Sequence, residues 1–351
     1  MKILIFGAGV LGSIYAAKLQ EAGSQVTLVA RGTRYQQLQE HGVVLRHFQT
    51  GQESVTQVPV VDAMPAEEHY DICLVLVQKT QLQSALNALR VNRKIPAFVF
   101  MNNTAEGPNA MVAALGRDRV LMGHANAGGE RSGHVVDYML AETMTFGELD
   151  GKITERLRSL QTAFEKAGIG VSLNRNIDAW KKYHVALAVP LSYAVYAANG
   201  CNYELAKNRH LITHAMNGIR EGVRALTKLD YPVEPSKLKF LLYIPNILVV
   251  PLFQRVMNTP LLDIGGARHI RNAAAEMIAL DEEFQHLVNQ SGVPTPSIDK
   301  LRQKAGSLER YLSDAITSTS TSASTNASAS TSASTSTNRQ GLKDVSQKTV
   351  S

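Results

Sequence analysis

The sequence predicts an α/β fold: an N-terminal doubly wound parallel sheet followed by a C-terminal all-helical domain. Three observations predict it. The chain opens on an apolar run, Lys2 to Phe6, that leads into Gly7-Ala8-Gly9-Val10-Leu11-Gly12 and then a helix-like run from Ser13 to Ala22. Strand-like and helix-like runs alternate as far as about residue 170, as a parallel sheet with crossover helices requires. From Asp178 onward, long apolar stretches at helical spacing replace them.

The opening run has the spacing GxGxxG between a strand and a helix. The first glycine permits a tight turn, the second lets the backbone approach a pyrophosphate, and the third lets helix and sheet pack closely. The helix N-terminus then faces the phosphates. Residues Gly7, Ala8, Gly9, Val10, Leu11 and Gly12 therefore read as a dinucleotide-binding turn of the Rossmann type. A structural turn in another α/β fold is the alternative. The second strand, Gln25 to Ala30, ends without a carboxylate, and Arg31 follows it. A guanidinium there suits a ribose 2′-phosphate, so NADP(H) is expected over NAD(H). Otherwise Arg31 is a solvated loop cation.

Further strands are expected at Ile72 to Val77, Ala97 to Met101 and Val120 to Gly123. The expected boundaries are a nucleotide-binding domain at 1–172, a helical domain at 173–313 and a tail at 314–351. The last long helix is expected from about Leu262 to Asn289, with apolar residues at steps of three and four. Ser291-Gly292, Pro294 and Pro296 end it. Thr317 to Asn338 contains only Ser, Thr, Ala and Asn. It cannot bury enough apolar surface to offset ordering entropy, so disorder is expected.

Of the 351 residues, 44% are hydrophobic, enough for a sizeable core, and the net charge is +6 without a dense basic stripe. That balance suits small anions and gives no case for nucleic acid. The two cysteines, Cys73 and Cys201, make no CxxC or Cys/His cluster, so neither a disulfide framework nor a metal site is expected. The first strand begins at once, so no secretory signal is expected. Leu238 to Phe253 is very apolar but short for a membrane span and interrupted by Lys239, Pro245 and Pro251. It reads as a buried or interface segment, without stable membrane insertion.

Four short runs carry candidate chemistry. Lys79 follows the strand at Ile72, where a cation can meet a phosphate or a carboxylate. Asn103, in Met101-Asn102-Asn103-Thr104, can bind the nicotinamide ribose, its carboxamide or a substrate oxygen; a turn asparagine is the alternative. In Trp180-Lys181-Lys182-Tyr183-His184, a lysine on an apolar helix is costly unless paired or functional. Lys182 is chosen as the proton donor and Lys181 as the solvated one. His184 is a rival acid, though a satisfied core histidine near Trp180 is preferred. Glu276 lies among small apolar residues, and spacing alone would leave it on a solvated face.

Residues 1 to 312 resemble the ketopantoate reductases (2-dehydropantoate 2-reductases). The resemblance rests on GAGVLGS with VARG, on QKTQL, on MNNT in place of a Gln-Asn-Gly motif, on TFGELDG at 145–151, and on Trp180-Lys181-Lys182 in place of Trp-x-Lys. It implies Lys79 as the cofactor- and substrate-side lysine, Asn103 as the matching asparagine, and Lys182 as the general acid. It also implies Asn199, before Gly200, as a substrate-side asparagine. Glu276, sixteen residues before Gly292, matches the late catalytic glutamate. The chain departs from the family where two asparagines follow the catalytic lysine. Val185 or Ala186 stands at the first place and Val189 at the second, before Pro190. Thr104 replaces the motif glycine, and no serine match is clear near Asp263-Ile264-Gly265.

The resemblance implies a cytoplasmic oxidoreductase that reduces a 2-oxo acid with NADPH, 2-dehydropantoate to pantoate in pantothenate biosynthesis first among them. A reductase of another 2-oxo acid or ketone is the alternative, as is a non-catalytic NADP(H)-binding sensor. The expected partner is a small-molecule substrate, and a homodimer is an open reading.

Overall fold

The computed structural model describes residues 1–125, 127–140 and 143–306, with 308, 311 and 312. Met1–Gly306 forms one compact unit. The tail expected to be disordered, 314–351, lies outside the described residues.

The chain runs β1 (Lys2–Phe6), α1 (Val10–Glu21), β2 (Gln25–Val29), α2 (Gly32–His41), β3 (Val43–His47), β4 (Glu53–Thr56), β5 (Val60–Val61) and β6 (Ile72–Val75). A 3-10 turn at Lys79–Gln81 leads to α3 (Leu82–Leu89), β7 (Phe98–Phe100), α4 (Asn109–Leu115) and β8 (Val120–His124). Then come β9 (Ala127–Ser132), β10 (Val135–Leu140), β11 (Thr143–Glu148), α5 (Glu155–Lys166) and β12 (Gly170–Leu173). The helical part is α6 (Ile177–Ala197), α7 (Asn202–Lys207), α8 (Arg209–Lys228), α9 (Leu238–Leu241), α10 (Asn246–Met257), α11 (Pro260–Leu262), α12 (Arg268–Asn272), α13 (Ala274–Ser291) and α14 (Pro296–Ala305).

The main sheet has eight strands in the order β12-β11-β8-β7-β6-β1-β2-β5. Its strands from β8 to β5 pair in parallel, and β11 pairs antiparallel with β8. Helices cover both faces, which is why β1 is apolar on consecutive residues. Ile3 and Ile5 join the core with Ile14, Tyr15 and Phe164, whereas Leu4 and Phe6 join the core with Leu86, Phe98 and Phe100. The expected doubly wound sheet and the helical C-terminal part are both present, and all five expected strands form.

Two features differ from expectation. A second sheet, β4-β3-β10-β9, lies outside the main one. Its strands are short and mixed in character, such as ESVT and AGGERS, and carry no clear alternation. The helix expected over Leu262 to Asn289 is three pieces, with a π turn at Asp263–Ala267 and a break at Ala273. Gly265 and Gly266 weaken the helix there. Gly265 also packs so closely on β9 that a Cβ on Gly128 would stand 2.6 Å from its Cα.

Candidate functional site

The glycine turn has one closed side and one open side. Gly7 has φ +114°, and a Cβ on it would run into Leu76 O. A Cβ on Gly12, in the first turn of α1, would run into Gly7 O. Nothing stands within 4 Å of the Cβ position of Gly9. That opening, at the N-terminus of α1 and the carboxyl end of β1, is the space a pyrophosphate needs. Val10 begins α1 and meets β9 at Gly129, while Leu11 packs against the core behind the turn.

Arg31 precedes α2, is exposed, and its guanidinium lies 5.8 Å from the Phe6 ring centroid. It is free to turn toward a phosphate at the end of β2. Arg34, one turn on and not foreseen, is buried. It donates to Ala8 O (3.3 Å), Ser13 Oγ (2.9 Å) and His134 O (3.2 Å), so it braces the turn from behind. Burial, with Arg131 nearby, pulls its pKa down to about 10.

Lys79 stands after β6, in the crevice at the strand ends. Its Nζ pairs with Glu283 and, at 3.0 Å, with Glu106. Burial alone would lower its pKa, but the two carboxylates outweigh that and raise it. Glu106 is held below its ordinary range by Lys79. The backbone N–H of Lys79 donates to Glu276 Oε1 at 3.3 Å. Glu276 is therefore buried in the first turn of α13, not on a solvated face, and its other oxygen lies 3.7 Å from His269 Nε2.

Glu283 was missed in the sequence. It is two turns after Glu276 on the same face of α13, and that seven-residue spacing was the available signal. Its Oε2 accepts from Thr104 Oγ1 (3.1 Å), Ala105 N (2.6 Å) and Glu106 N (3.1 Å). The loop after β7 is thus fastened to the helical half. Asn103 is half-buried at the head of that loop. Asn102 beside it is buried, donates to Asn103 O at 3.0 Å, and leaves its own Oδ1 without a partner.

Both lysines of α6 are buried. Lys182 Nζ donates to Asp178 Oδ1 at 2.6 Å and lies 5.0 Å from the centroid of the Tyr231 ring, beside Gly107. Lys181, expected in solvent, is 2% exposed. The correction follows from its face of the helix, which is turned to the sheet: Nζ donates to Gly123 O in β8 at 2.5 Å. Burial, only partly offset by Asp178, lowers its pKa to about 7. His184 stacks on Trp180, with centroids 5.5 Å apart, and meets the His124 ring at 4.1 Å. Asn199 is exposed in a left-handed turn (φ 56°) that ends α6. Its place is explained by the turn, which asparagine tolerates.

Residues 3–151 match the family profile described as Ketopantoate reductase PanE/ApbA. A 2-dehydropantoate 2-reductase from Pyrococcus horikoshii is 22% identical over 246 residues, 68% of this chain and 78% of that protein. A PanE/ApbA family ketopantoate reductase from Ralstonia eutropha JMP134 superposes with a TM-score of 0.71 at 18% identity, covering 87% of this chain and 97% of that one. Over residues 3–151 the chain matches the ketopantoate reductase family.

This is a family of oxidoreductases that depend on a pyridine nucleotide. An uncharacterized oxidoreductase, YkpB, from Bacillus subtilis (strain 168) is 27% identical over 189 residues, 52% of this chain. That match spans 61% of the relative's own length. D-mandelate dehydrogenase, solved with NADH and anilino(oxo)acetate, shares the fold with a TM-score of 0.68 at 16% identity over 87% of this chain and 97% of that one. A dimeric ketopantoate reductase from Staphylococcus aureus does so with 0.65 at 12% identity, over 90% of this chain and all of the other. The α6 residues Val185, Ala186 and Val189 are buried and apolar, and Ala186 packs beside Gly222 of α8.

Proposed function

We propose that this chain reduces the carbonyl of a 2-oxo acid with NADPH, and that 2-dehydropantoate, giving pantoate, is the first substrate to try. The observation that carries the reading is the open Gly9 position, with Arg31 at the end of β2, Lys79 and Asn103 after β6 and β7, and Glu276 of α13 against the Lys79 N–H. The glycine turn and the α1 N-terminus would hold the pyrophosphate, and Arg31 the 2′-phosphate. NADPH, when bound, supplies the hydride. Lys79 and Asn103 hold the cofactor and the carbonyl side of the substrate. Lys182 is the expected proton donor, and Glu276 positions the groups around it. Asn199 is the expected contact to a substrate hydroxyl. The nucleotide half would end near residue 172 and the helical half near 313.

Val185, Ala186 and Val189, apolar where the resemblance places two asparagines, favour a second reading, in which another 2-oxo acid or a ketone is the substrate. A D-mandelate dehydrogenase shares the fold, so aromatic 2-oxo acids belong beside 2-dehydropantoate in the panel. Oxidation of NADPH followed at 340 nm decides between them. Binding of NADPH with no turnover across the panel would leave the sensor reading, which the Lys182→Ala, Glu276→Ala double variant tests: a sensor keeps its NADPH-dependent behaviour.

The reading fits a cytoplasmic enzyme. Among the described residues, no single helix is long and apolar enough to cross a membrane. The segment expected to be buried or interfacial is largely exposed, with Phe240 at 69%, Tyr243 at 81% and Ile247 at 72%. Pairing of two copies through it is the form of homodimer we propose, in line with the dimeric Staphylococcus aureus enzyme.

A further inference from the structure

The short helix α12 lies between the π turn at Asp263–Ala267 and the break at Ala273, and its neighbours tie it down on several sides. Arg268 pairs with Glu130 of β9 at 3.0 Å and with Asp263 at 2.9 Å. Arg271 donates to Gly200 O at 2.6 Å, and Asn272 to Glu130 Oε1 at 3.4 Å. Ile270 is buried, and its carbonyl accepts from the Tyr196 hydroxyl at 2.6 Å. His269 is the exception. Its side chain is 47% exposed and, among the described residues, makes no hydrogen bond. A helix held this firmly presents one imidazole that the fold itself does not use.

What that ring faces is a carboxylate. Nε2 stands 3.7 Å from Glu276 Oε2, and Glu276 is 4% exposed. The other oxygen of Glu276 accepts the N–H of Lys79. His269 therefore covers the Lys79–Glu276 contact from the solvent side, at the end of β6. The other cations here already have carboxylates: Lys79 has Glu283 and Glu106, Lys182 has Asp178, and Arg268 has Glu130 and Asp263. With Nε2 turned to Glu276, Nδ1 is left for another partner. A neutral imidazole has one N–H to give; a protonated one has two, enough for Glu276 and for an incoming anion together.

We infer that His269 is a substrate-binding residue: protonated over Glu276, it gives its Nδ1–H to the carboxylate of the 2-oxo acid. This rests on the reading of the chain as a 2-oxo acid reductase, and Lys182 keeps its place as the proton donor. The charged and titratable groups around the ring are Glu276 of α13, His184 of α6 with Lys181 behind it, Asp263 of the π turn, Glu130 of β9, and Arg268 and Arg271 on α12 itself. Glu276 is the nearest of the carboxylates and favours the imidazolium; the cations oppose it. An anion seated on Nδ1 adds a second negative charge beside the ring and holds the proton on it. Where the ring is neutral beforehand, binding takes one proton from solvent, and no bond within the substrate is made or broken.

The test is calorimetric titration of oxamate, an unreactive 2-oxo acid analogue, with and without NADPH. In the parent protein, affinity should fall by up to about tenfold per pH unit as the ring loses its proton, and binding should take up protons there. His269→Gln should lose about tenfold or more in affinity at pH 6, together with the pH dependence and the proton uptake, and should bind NADPH as the parent does. His269→Arg, charged throughout, should restore oxamate binding and hold it equal at pH 6 and 8.5. Glu276→Gln, which takes the negative charge from beside the ring, should move the fall in affinity to lower pH. A pH dependence that survives in His269→Gln, or an unchanged affinity in it at pH 6, overturns the assignment, as does a parent protein that ignores oxamate at pH 6. NADPH binding lost in step with oxamate overturns it too, since the residue would then act on the fold or the cofactor. Should parent and variants bind oxamate as expected while no 2-oxo acid oxidises NADPH, the reductase reading fails and the anion site at His269 stands. Should His269→Gln reduce a 2-oxo acid with the parent's KM, the histidine assignment fails and the reductase reading stands.

Discussion

Lys79 and Glu283 form a buried ion pair that fastens the end of β6 to α13. The second oxygen of Glu283 collects three donors from residues 104–106, so one carboxylate holds two of the loops that line the crevice. Glu283→Ala would leave the Lys79 ammonium with Glu106 alone, and the Thr104 hydroxyl and two backbone N–H groups without their acceptor. Removing one side of a buried pair costs about 3–5 kcal/mol. Urea unfolding should show a loss of that order, and Glu283→Gln, which keeps the shape and still accepts, a smaller one. Equal midpoints for parent and alanine variant would show that the pair contributes nothing.

Arg31 and Arg34 should separate cofactor choice from stability. Arg31 is exposed and makes no contact that the fold depends on, so Arg31→Ala should unfold like the parent. It should weaken NADPH binding by about 1.5–3 kcal/mol, the range for a hydrogen-bonded charge, and leave NADH unchanged. Arg34→Ala withdraws three bonds from the back of the glycine turn and should weaken both nucleotides and lower stability. Titration of NADPH and NADH by fluorescence measures this. Equal losses of NADPH and NADH in Arg31→Ala would remove the 2′-phosphate from its role.

Much of this was legible where local chemistry decides. The glycine turn is written in seven consecutive residues, and β1, β2, β6, β7 and β8 are apolar enough to be read as buried strands. The second sheet was not, because half-exposed strands such as β4 and β9 gain stability from pairing rather than from a periodic pattern. The site was legible as residue types and not as faces. Lys181 and Lys182 have near-identical neighbours in sequence, and only the crossing of α6 over the end of β8 tells which is turned to the sheet. Glu276 and Glu283 were separable from solvated glutamates only through their shared face, and Arg34 only through its contacts around the turn.

The apolar run on α9, α10 and α11 makes an oligomeric prediction. Ile247 and Leu248 are exposed on one segment with Phe240, Tyr243 and Leu252, more apolar surface in one place than a monomer usually shows. Sedimentation should find the parent protein dimeric at micromolar concentration. Ile247→Asp with Leu248→Asp should give monomers that fold normally, since neither side chain reaches the core. A monomeric parent at all concentrations would leave this surface without a second copy.

The stack of His184 on Trp180 makes the protein acid-labile in a defined window. His184 is held neutral in the folded chain, with a pKa lowered from 6.5 to about 4 by burial and by the charges of Lys181 and His269. Between those values the unfolded chain binds a proton that the native chain refuses, so stability falls as pH drops from 6.5 toward 4. The full span of that shift corresponds to about 3 kcal/mol. His124 is shifted the same way and adds to the fall. An imidazolium quenches a stacked indole, so the single tryptophan should dim with a midpoint near 4 in whatever fraction stays folded. His184→Gln should flatten both curves, in fluorescence and in urea midpoints between pH 7 and 4.5, because glutamine takes up no proton. A parent protein equally stable at pH 7 and 4.5 would mean that His184 titrates normally, and that the Lys181 side of α6 is wetter than its burial implies.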